Sequence, residues 1–182
     1  SAAAENLRQA VQVAEFLGAG VVLAAFFKQK APNMADESSY GPVVDMLRQV
    51  APAAAGAGVT VGLENSLSPE DNRKLVDLVD HPGVKVYYDP CNMARYGYAE
   101  AAVPGIKLLG KARICQVHLK NYGNPLRQPD PIDWKAAFRA LNEIGYDGWY
   151  VFETRHATVA EMLEGTRKNI AFTREHARRP LR

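Results

Sequence analysis

Five short apolar runs alternate with longer segments of mixed polarity along the 182-residue chain. The runs are rich in Val, Leu, Tyr and Phe without strict polar alternation, which is typical of strands buried on both faces of a parallel sheet. Every interval between runs has room for a crossover helix, so the sequence predicts an α/β fold. Two architectures fit, an open doubly wound sheet and part of a closed (β/α)8 barrel. The runs are GVVLAAFF, VTVGLEN, VKVYY, ICQVHLK and WYVFET.

The intervals also carry helix boundaries. Ser68, Asp133 and Thr158 are each predicted as the N-cap of a helix, because their side-chain oxygens can accept hydrogen bonds from the first free N–H groups. Pro52 lies inside the helix predicted between the first two runs. We expect a kink or a break near Gln49, because proline removes an interior hydrogen bond.

Composition argues against several classes of protein. The formal net charge of +2 is too small to favour nucleic acid as a partner. The longest uncharged stretches fall short of the roughly 20 apolar residues that span a membrane, so no membrane partner is expected. No glycine-rich dinucleotide or P-loop motif follows any run. Cys91 and Cys115 lack metal or redox spacing and are expected as small buried residues in a reducing, cytoplasmic setting.

Four potential metal ligands stand at or near the ends of the last four runs: Glu64, Asp89, His118 and Glu153. They follow one another by 25, 29 and 35 residues, each close to one strand–helix repeat. Chemistry in parallel α/β folds lies at the carboxyl ends of the strands, so neighbouring strands would bring these side chains together. Three carboxylates repel one another, and a divalent cation removes that conflict. Three oxygens and one nitrogen suit Mn²⁺ or Mg²⁺, with Co²⁺, Zn²⁺ and Fe²⁺ as alternatives.

Each of the four residues also has a purely structural explanation. Asp89 precedes a proline, as turn residues often do. Glu64 could be an exposed loop acid, and His118 a hydrogen-bonded core histidine. Glu153 could pair with Arg155. The four explanations are independent, whereas one metal site accounts for all four positions together.

With these residues in this order, the chain resembles the xylose isomerase-like TIM-barrel superfamily of sugar phosphate isomerases and epimerases. The resemblance rests on VTVGLEN, VKVYYDPCN, ICQVHLKN, IDWKAAFRALNEIGYDGWYVFET and GTRKNIAFTREH, and on the ordered set E…D-x-x-[HN]…H-[LI]-K…E. It implies that Glu64, Asp89, His118 and Glu153 bind one divalent metal ion from strands five to eight. It also implies that Glu64 and Glu153 act as acid and base on opposite faces of a sugar.

Four further residues are candidate substrate contacts. Asn92 stands where sugar epimerases of this group often have a substrate-contacting histidine, and Glu70 matches a substrate-contacting position of ketose epimerases. Glu70 is equally explained as an acid in the first turn of a helix. Lys120 and Arg155 come just past strand ends, where they could meet a phosphate or hydroxyl group or simply face solvent.

The resemblance makes residues 1–182 a single domain, a partial (β/α)8 barrel with strands four to eight and their helices. The N-terminal strands one to three are expected to be missing, because a typical barrel has about 250 residues. Such an open barrel has two unpaired edges, so a homo-oligomer is one expected outcome.

The predicted function is a divalent-metal-dependent isomerase or epimerase of a sugar or sugar phosphate. Two glutamates would move the proton through a metal-stabilised enediolate. A dehydratase could use the same site and expel a hydroxyl group, and a barrel remnant could bind sugar or metal without turnover. A phosphodiesterase of the related abasic-site endonuclease type is disfavoured, because Asn92 replaces a histidine which that multi-zinc cluster needs.

Overall fold

The computed structural model describes residues 1–178, so residues 179–182 of the predicted domain lie outside the described part. Strands and helices alternate as the sequence predicts. The strands are β1 (Val21–Phe26), β2 (Thr60–Asn65), β3 (Val84–Tyr88), β4 (Ile114–Leu119) and β5 (Trp149–Phe152). The helices are α1 (Ala2–Leu17), α2 (Glu37–Gly56), α3 (Pro69–Val79), α4 (Pro90–Arg95), α5 (Pro104–Arg113), α6 (Trp134–Glu143) and α7 (Val159–His176), with 3₁₀ turns at Lys28–Lys30 and Ala99–Ala101.

The five strands form one parallel sheet in the order β1-β2-β3-β4-β5. In a doubly wound sheet the order of the strands reverses at a switch point, whereas in a barrel each new strand lies beside the previous one in the sequence. The sequential order therefore decides between the two predicted architectures, and the sheet is the half-barrel of a partial TIM barrel. Within residues 1–178, β1 and β5 are its two edges.

The predicted helix caps are confirmed. The Ser68 hydroxyl accepts a hydrogen bond from the Asp71 amide at 3.0 Å, at the start of α3. Asp133 Oδ1 accepts from two amides of the first turn of α6, at 3.0 and 3.1 Å. The Thr158 hydroxyl accepts from the Glu161 amide at 3.2 Å. These caps fix where α3, α6 and α7 begin, and so where the loops that follow β2, β4 and β5 end.

Two local predictions differ from the structure. Helix α2 continues through Pro52 without a break, because Val50, Ala51 and Ala54 beside it are fully buried and their packing outweighs the lost hydrogen bond. The sequence analysis also missed α4, whose first residue follows Asp89 directly. Asp89 is the N-cap of this helix and not a turn residue.

The core lies between the sheet and the helices that cover its outer face. In α6, Trp134, Phe138 and Leu141 are buried, and the Phe138 ring lies 5.5 Å from that of Tyr150 on β5. Cys91 is buried as predicted, while Cys115 is partly exposed, and both are free thiols. No helix within residues 1–178 has both the length and the apolar character needed to cross a membrane.

Candidate metal centre

The four predicted ligands meet at one end of the sheet. Glu64 is the second-last residue of β2 and His118 the second-last of β4, whereas Asp89 and Glu153 directly follow β3 and β5. One ligand atom from each residue lies within 4.8 Å of those of the other three. The convergence follows from the topology, because adjacent parallel strands in sequential order end side by side.

His118 stands at the centre of this cluster. Its Nδ1 lies 3.2 Å from Glu64 Oε1, 3.3 Å from Glu153 Oε2 and 3.6 Å from Asp89 Oδ2. Burial alone would lower the pKa of the imidazole. The close contact with Asp89, the hydrogen bond with Glu64 and the negative charges of both outweigh burial and raise the pKa of His118 to about 9. Without a metal ion, the imidazole is therefore protonated at neutral pH and serves as a counter-charge to the carboxylates.

Asp89 is the most deeply buried of the three acids, with 1% of its surface exposed. Its Oδ1 accepts a hydrogen bond from the Asn92 amide at 2.9 Å, the N-cap bond of α4. Its Oδ2 is oriented toward His118 and Lys120. Burial would raise the pKa of Asp89, but the contacts with His118 and the positive charge of Lys120 hold it below its usual value, so the side chain is ionised.

Lys120 places its ammonium group between two of the acids. Nζ lies 2.6 Å from Asp89 Oδ2 and 2.8 Å from Glu153 Oε2, and only 8% of the residue is exposed. Burial would lower the pKa of Lys120, but the two carboxylates raise it, so the ammonium stays charged. The Lys120 carbonyl accepts a 3.0 Å hydrogen bond from the indole of Trp134, which holds the end of β4 in place. Whether Lys120 also contacts substrate stays a prediction.

Asn92 holds Glu64 in its orientation. Asn92 Nδ2 donates to Glu64 Oε1 at 2.7 Å, and both side chains are buried. The backbone amide of Asn92 donates to Asp89, so this one residue links Glu64 with Asp89. The substrate contact predicted for Asn92 stays untested, but its side chain is already engaged with Glu64.

Tyr87 is a neighbour of the cluster that the sequence analysis missed. Its ring lies 4.4 Å from that of His118, and the residue is 5% exposed. Burial first, and then the nearby acids, raise the pKa of its hydroxyl, so it stays protonated. Strand alternation could have identified it, because Tyr87 stands two residues before Asp89 and so on the same side of β3.

The other two predicted substrate contacts, Arg155 and Glu70, line two different spaces outside the cluster. Arg155 lines a cavity of about 460 Å³ that is formed by the loops after β4 and β5 and by α7. Thr154, His156 and Tyr122 also line it. Glu70 is exposed in the first turn of α3 and lines a surface groove with residues of the outer helices. None of the four clustered ligands lines either space, so both predicted contacts stay predictions.

The cluster fits a divalent cation on its own geometry. Asp89 Oδ2 is buried and makes no hydrogen bond of suitable geometry within residues 1–178, although the Lys120 ammonium lies at ion-pair distance. Three carboxylates and one imidazole are hard and borderline ligands that suit Mg²⁺, Mn²⁺ or Zn²⁺. Glu153 lies on the solvent-exposed side of the cluster, since 49% of its side chain is exposed, whereas the other three ligand residues are buried.

Comparison with known families decides the membership of the chain. The family model described as xylose isomerase-like TIM barrel matches residues 1–176. The chain belongs to the xylose isomerase-like TIM barrel family. The resemblance seen in the sequence is thereby confirmed, and so is the partial-barrel fold. No curated protein matches the chain.

Solved structures of this fold resemble the chain at low sequence identity. The IOLI protein with a binding zinc atom has a TM-score of 0.77 at 18% identity, over 96% of this chain and 70% of that one. D-psicose 3-epimerase with D-tagatose from Clostridium cellulolyticum H10 has a TM-score of 0.77 at 20% identity, with the same coverage of 96% and 70%. A xylose isomerase-like TIM barrel protein from Mycobacterium smegmatis in complex with magnesium has a TM-score of 0.67 at 16% identity, over 85% and 60%. At these identities the likeness establishes the fold.

Proposed function

We propose that the chain is a divalent-metal-dependent isomerase or epimerase of a sugar or sugar phosphate. The observation that carries this proposal is the cluster of Glu64, Asp89, His118 and Glu153, whose ligand atoms lie within 4.8 Å of one another at the strand ends. Solved relatives include an epimerase crystallised with a sugar and proteins crystallised with zinc or magnesium, which supports the same chemistry here.

Glu64 and Glu153 are the proposed acid and base. They come from the ends of β2 and β5, which are separated in the sheet by β3 and β4. Glu64 is buried and fixed by Asn92 and His118, whereas the side chain of Glu153 is half exposed. Two carboxylates in such different surroundings suit different roles, one that removes a proton and one that returns it. The bound cation would supply positive charge to the substrate oxygens and so stabilise the enediolate.

The cavity lined by Thr154 and Arg155, which directly follow Glu153 in the chain, is proposed as part of the sugar site. The cavity of about 460 Å³ is of the size that holds small-molecule ligands. Arg155 brings a positive charge to it, while Lys168 in the same wall is paired with Glu164 at 3.2 Å. An arginine in the wall of this cavity suits a phosphate or a hydroxyl group on the far end of the sugar.

The experiment that tests this proposal replaces each glutamate by glutamine. After ketoses and their phosphates have been screened for a substrate, Glu64→Gln and Glu153→Gln should each lower kcat by at least about 10²-fold, because the proton acceptor is lost while size is kept. The matched control is Glu143→Gln, since Glu143 pairs with Lys107 on the outer helices. The control should retain wild-type turnover.

The product identifies the reaction. In D₂O, wild-type protein should place deuterium on the carbon beside the carbonyl and yield an isomer or epimer of otherwise equal mass. A product lighter by one water would instead indicate a dehydratase. Full turnover in both glutamine variants with metal still bound would contradict the assigned acid and base. Absence of turnover on every sugar tested, with metal and sugar both bound, would support a binding protein.

A further inference from the structure

Lys120 contacts the carboxylate oxygens that face His118. Its ammonium lies 2.6 Å from Asp89 Oδ2 and 2.8 Å from Glu153 Oε2, the same two oxygens that approach His118 Nδ1 at 3.6 and 3.3 Å. An ammonium group has three donors and no lone pair, so it cannot itself be a metal ligand. A cation that binds Asp89 Oδ2 and Glu153 Oε2 would therefore compete with the Lys120 ammonium for the same two oxygens.

We propose that Lys120 is a tethered competitor of the metal ion, which neutralises Asp89 and Glu153 in the metal-free protein and is displaced when the cation enters. This inference rests on the metal site of the proposed function. It gives Lys120 a role in the metal-free protein that is separate from any contact with substrate.

The surroundings of Lys120 allow such a displacement. Its backbone is fixed by the hydrogen bond from Trp134 to its carbonyl, while the four-carbon side chain above it has rotatable bonds. Glu153, one of its two partners, is half exposed, so the ammonium has a way out of the cluster on that side. Asp89 lies on the closed side with 1% of its surface exposed, and there the ammonium compensates a buried charge.

The charges of the cluster predict how the loss of Lys120 changes the affinity for a divalent cation. A bound cation needs the neutral imidazole, and with His118 neutral the three carboxylates beside one ammonium leave an excess of two negative charges for the cation to neutralise. Removal of the ammonium raises that excess to three. A site without Lys120 should therefore attract a divalent cation more strongly. Its metal-free form should be less stable, because the carboxylates lose one of their two counter-charges, the other being the His118 imidazolium.

The experiment measures the Kd of Mn²⁺ for the full chain by calorimetry at fixed ionic strength. Lys120→Met should bind Mn²⁺ at least about tenfold more tightly than wild type. Its metal-free form should unfold at lower urea concentration than that of wild type. Lys107→Met is the matched control, because it removes the same charge from an exposed ion pair on the outer helices, and it should leave Kd unchanged. Lys120→Gln, which keeps a polar group in the cluster, takes the place of the methionine variant if that variant does not fold.

A second measurement uses the unaltered chain. Acylation of Lys120, followed by peptide mass spectrometry, should become faster when Mn²⁺ is added, because the ammonium leaves its two carboxylates. Mn²⁺ affinity equal to or weaker than wild type in a folded Lys120 variant would overturn the inference while leaving the metal site intact. Absence of Mn²⁺ binding in wild type and in both Lys120 variants would overturn the metal site together with the inference.

Discussion

Asn92→Ala should destabilise the metal-free protein by about 2 kcal/mol. The substitution removes a buried hydrogen bond of 2.7 Å from the side-chain amide to Glu64 Oε1 and leaves that carboxylate with one fewer donor. Hydrogen bonds to charged groups contribute roughly 1.5–3 kcal/mol, which sets the size of the effect. The Asn92 backbone amide, which donates to the N-cap residue Asp89, is kept, so the loss is confined to the side chain. For a domain of this size the midpoint of thermal unfolding should fall by about 4–8 °C.

The assay is urea unfolding of metal-free protein, followed by circular dichroism. Asn124→Ala is the matched control, since its amide makes only an exposed 3.3 Å hydrogen bond to the Asp130 carbonyl, and it should change stability by less than about 0.5 kcal/mol. An Asn92→Ala variant as stable as this control would refute the idea that Asn92 holds Glu64 in position. Mn²⁺ affinity supplies a second readout and should fall about tenfold or more, as for other residues that orient metal ligands.

The remaining predictions concern pH and helix capping. Because the pKa of His118 is raised from 6.5 to about 9 in the metal-free protein, its contribution to stability is complete below pH 6.5 and is lost as pH rises through 9. Metal binding needs the neutral imidazole, so the rise in melting temperature caused by Mn²⁺ should grow from pH 6.5 to 9, and an increase that shrinks over this interval would contradict the assignment. Asp133→Ala removes the acceptor of two amide hydrogen bonds at the start of α6 and should cost about 1 kcal/mol in urea unfolding. Asp133→Asn keeps a capping oxygen and should recover most of this loss, and equal losses in both variants would exclude the capping role.

The strands and the ligand cluster could be predicted from the sequence because both depend on regular patterns. Apolar runs separated by crossover lengths predict parallel neighbours, and parallel neighbours place the residues after each run together. Glu64, Asp89, His118 and Glu153 therefore meet as predicted. Their roles in catalysis and metal binding stay predictions.

What the sequence did not predict lies in the contacts between side chains. The pairing of Lys120 with Asp89 and Glu153, and that of Asn92 with Glu64, depend on rotamers and on the curvature of the sheet, which no spacing encodes. Helix α4 was missed although Asp89 and the following proline form the same kind of helix start that was recognised at Ser68. Asp89 uses one oxygen to cap α4 and the other to face His118 and Lys120.

Pro52 is a case in which a local sequence pattern predicts a break that the structure does not contain. Proline alone predicts a break, but the residues around it bury one face of α2 completely, and this packing keeps the helix continuous. Tertiary burial of this kind is set by the whole fold and is not visible in a local pattern. The predicted homo-oligomer and the predicted cytoplasmic location stay predictions.

The most direct test of the account measures how many divalent ions one chain binds. Calorimetry with Mn²⁺, together with the visible absorption of bound Co²⁺, should give one ion per wild-type chain. Asp89→Asn keeps an oxygen that can cap α4 but removes the charge, and it should lose this binding while the protein stays folded. Glu164→Gln, an exposed acid paired with Lys168, should bind as wild type does. Equal occupancy in wild type and Asp89→Asn, or no ion bound by the folded wild-type chain, would contradict the metal centre on which the proposed function depends.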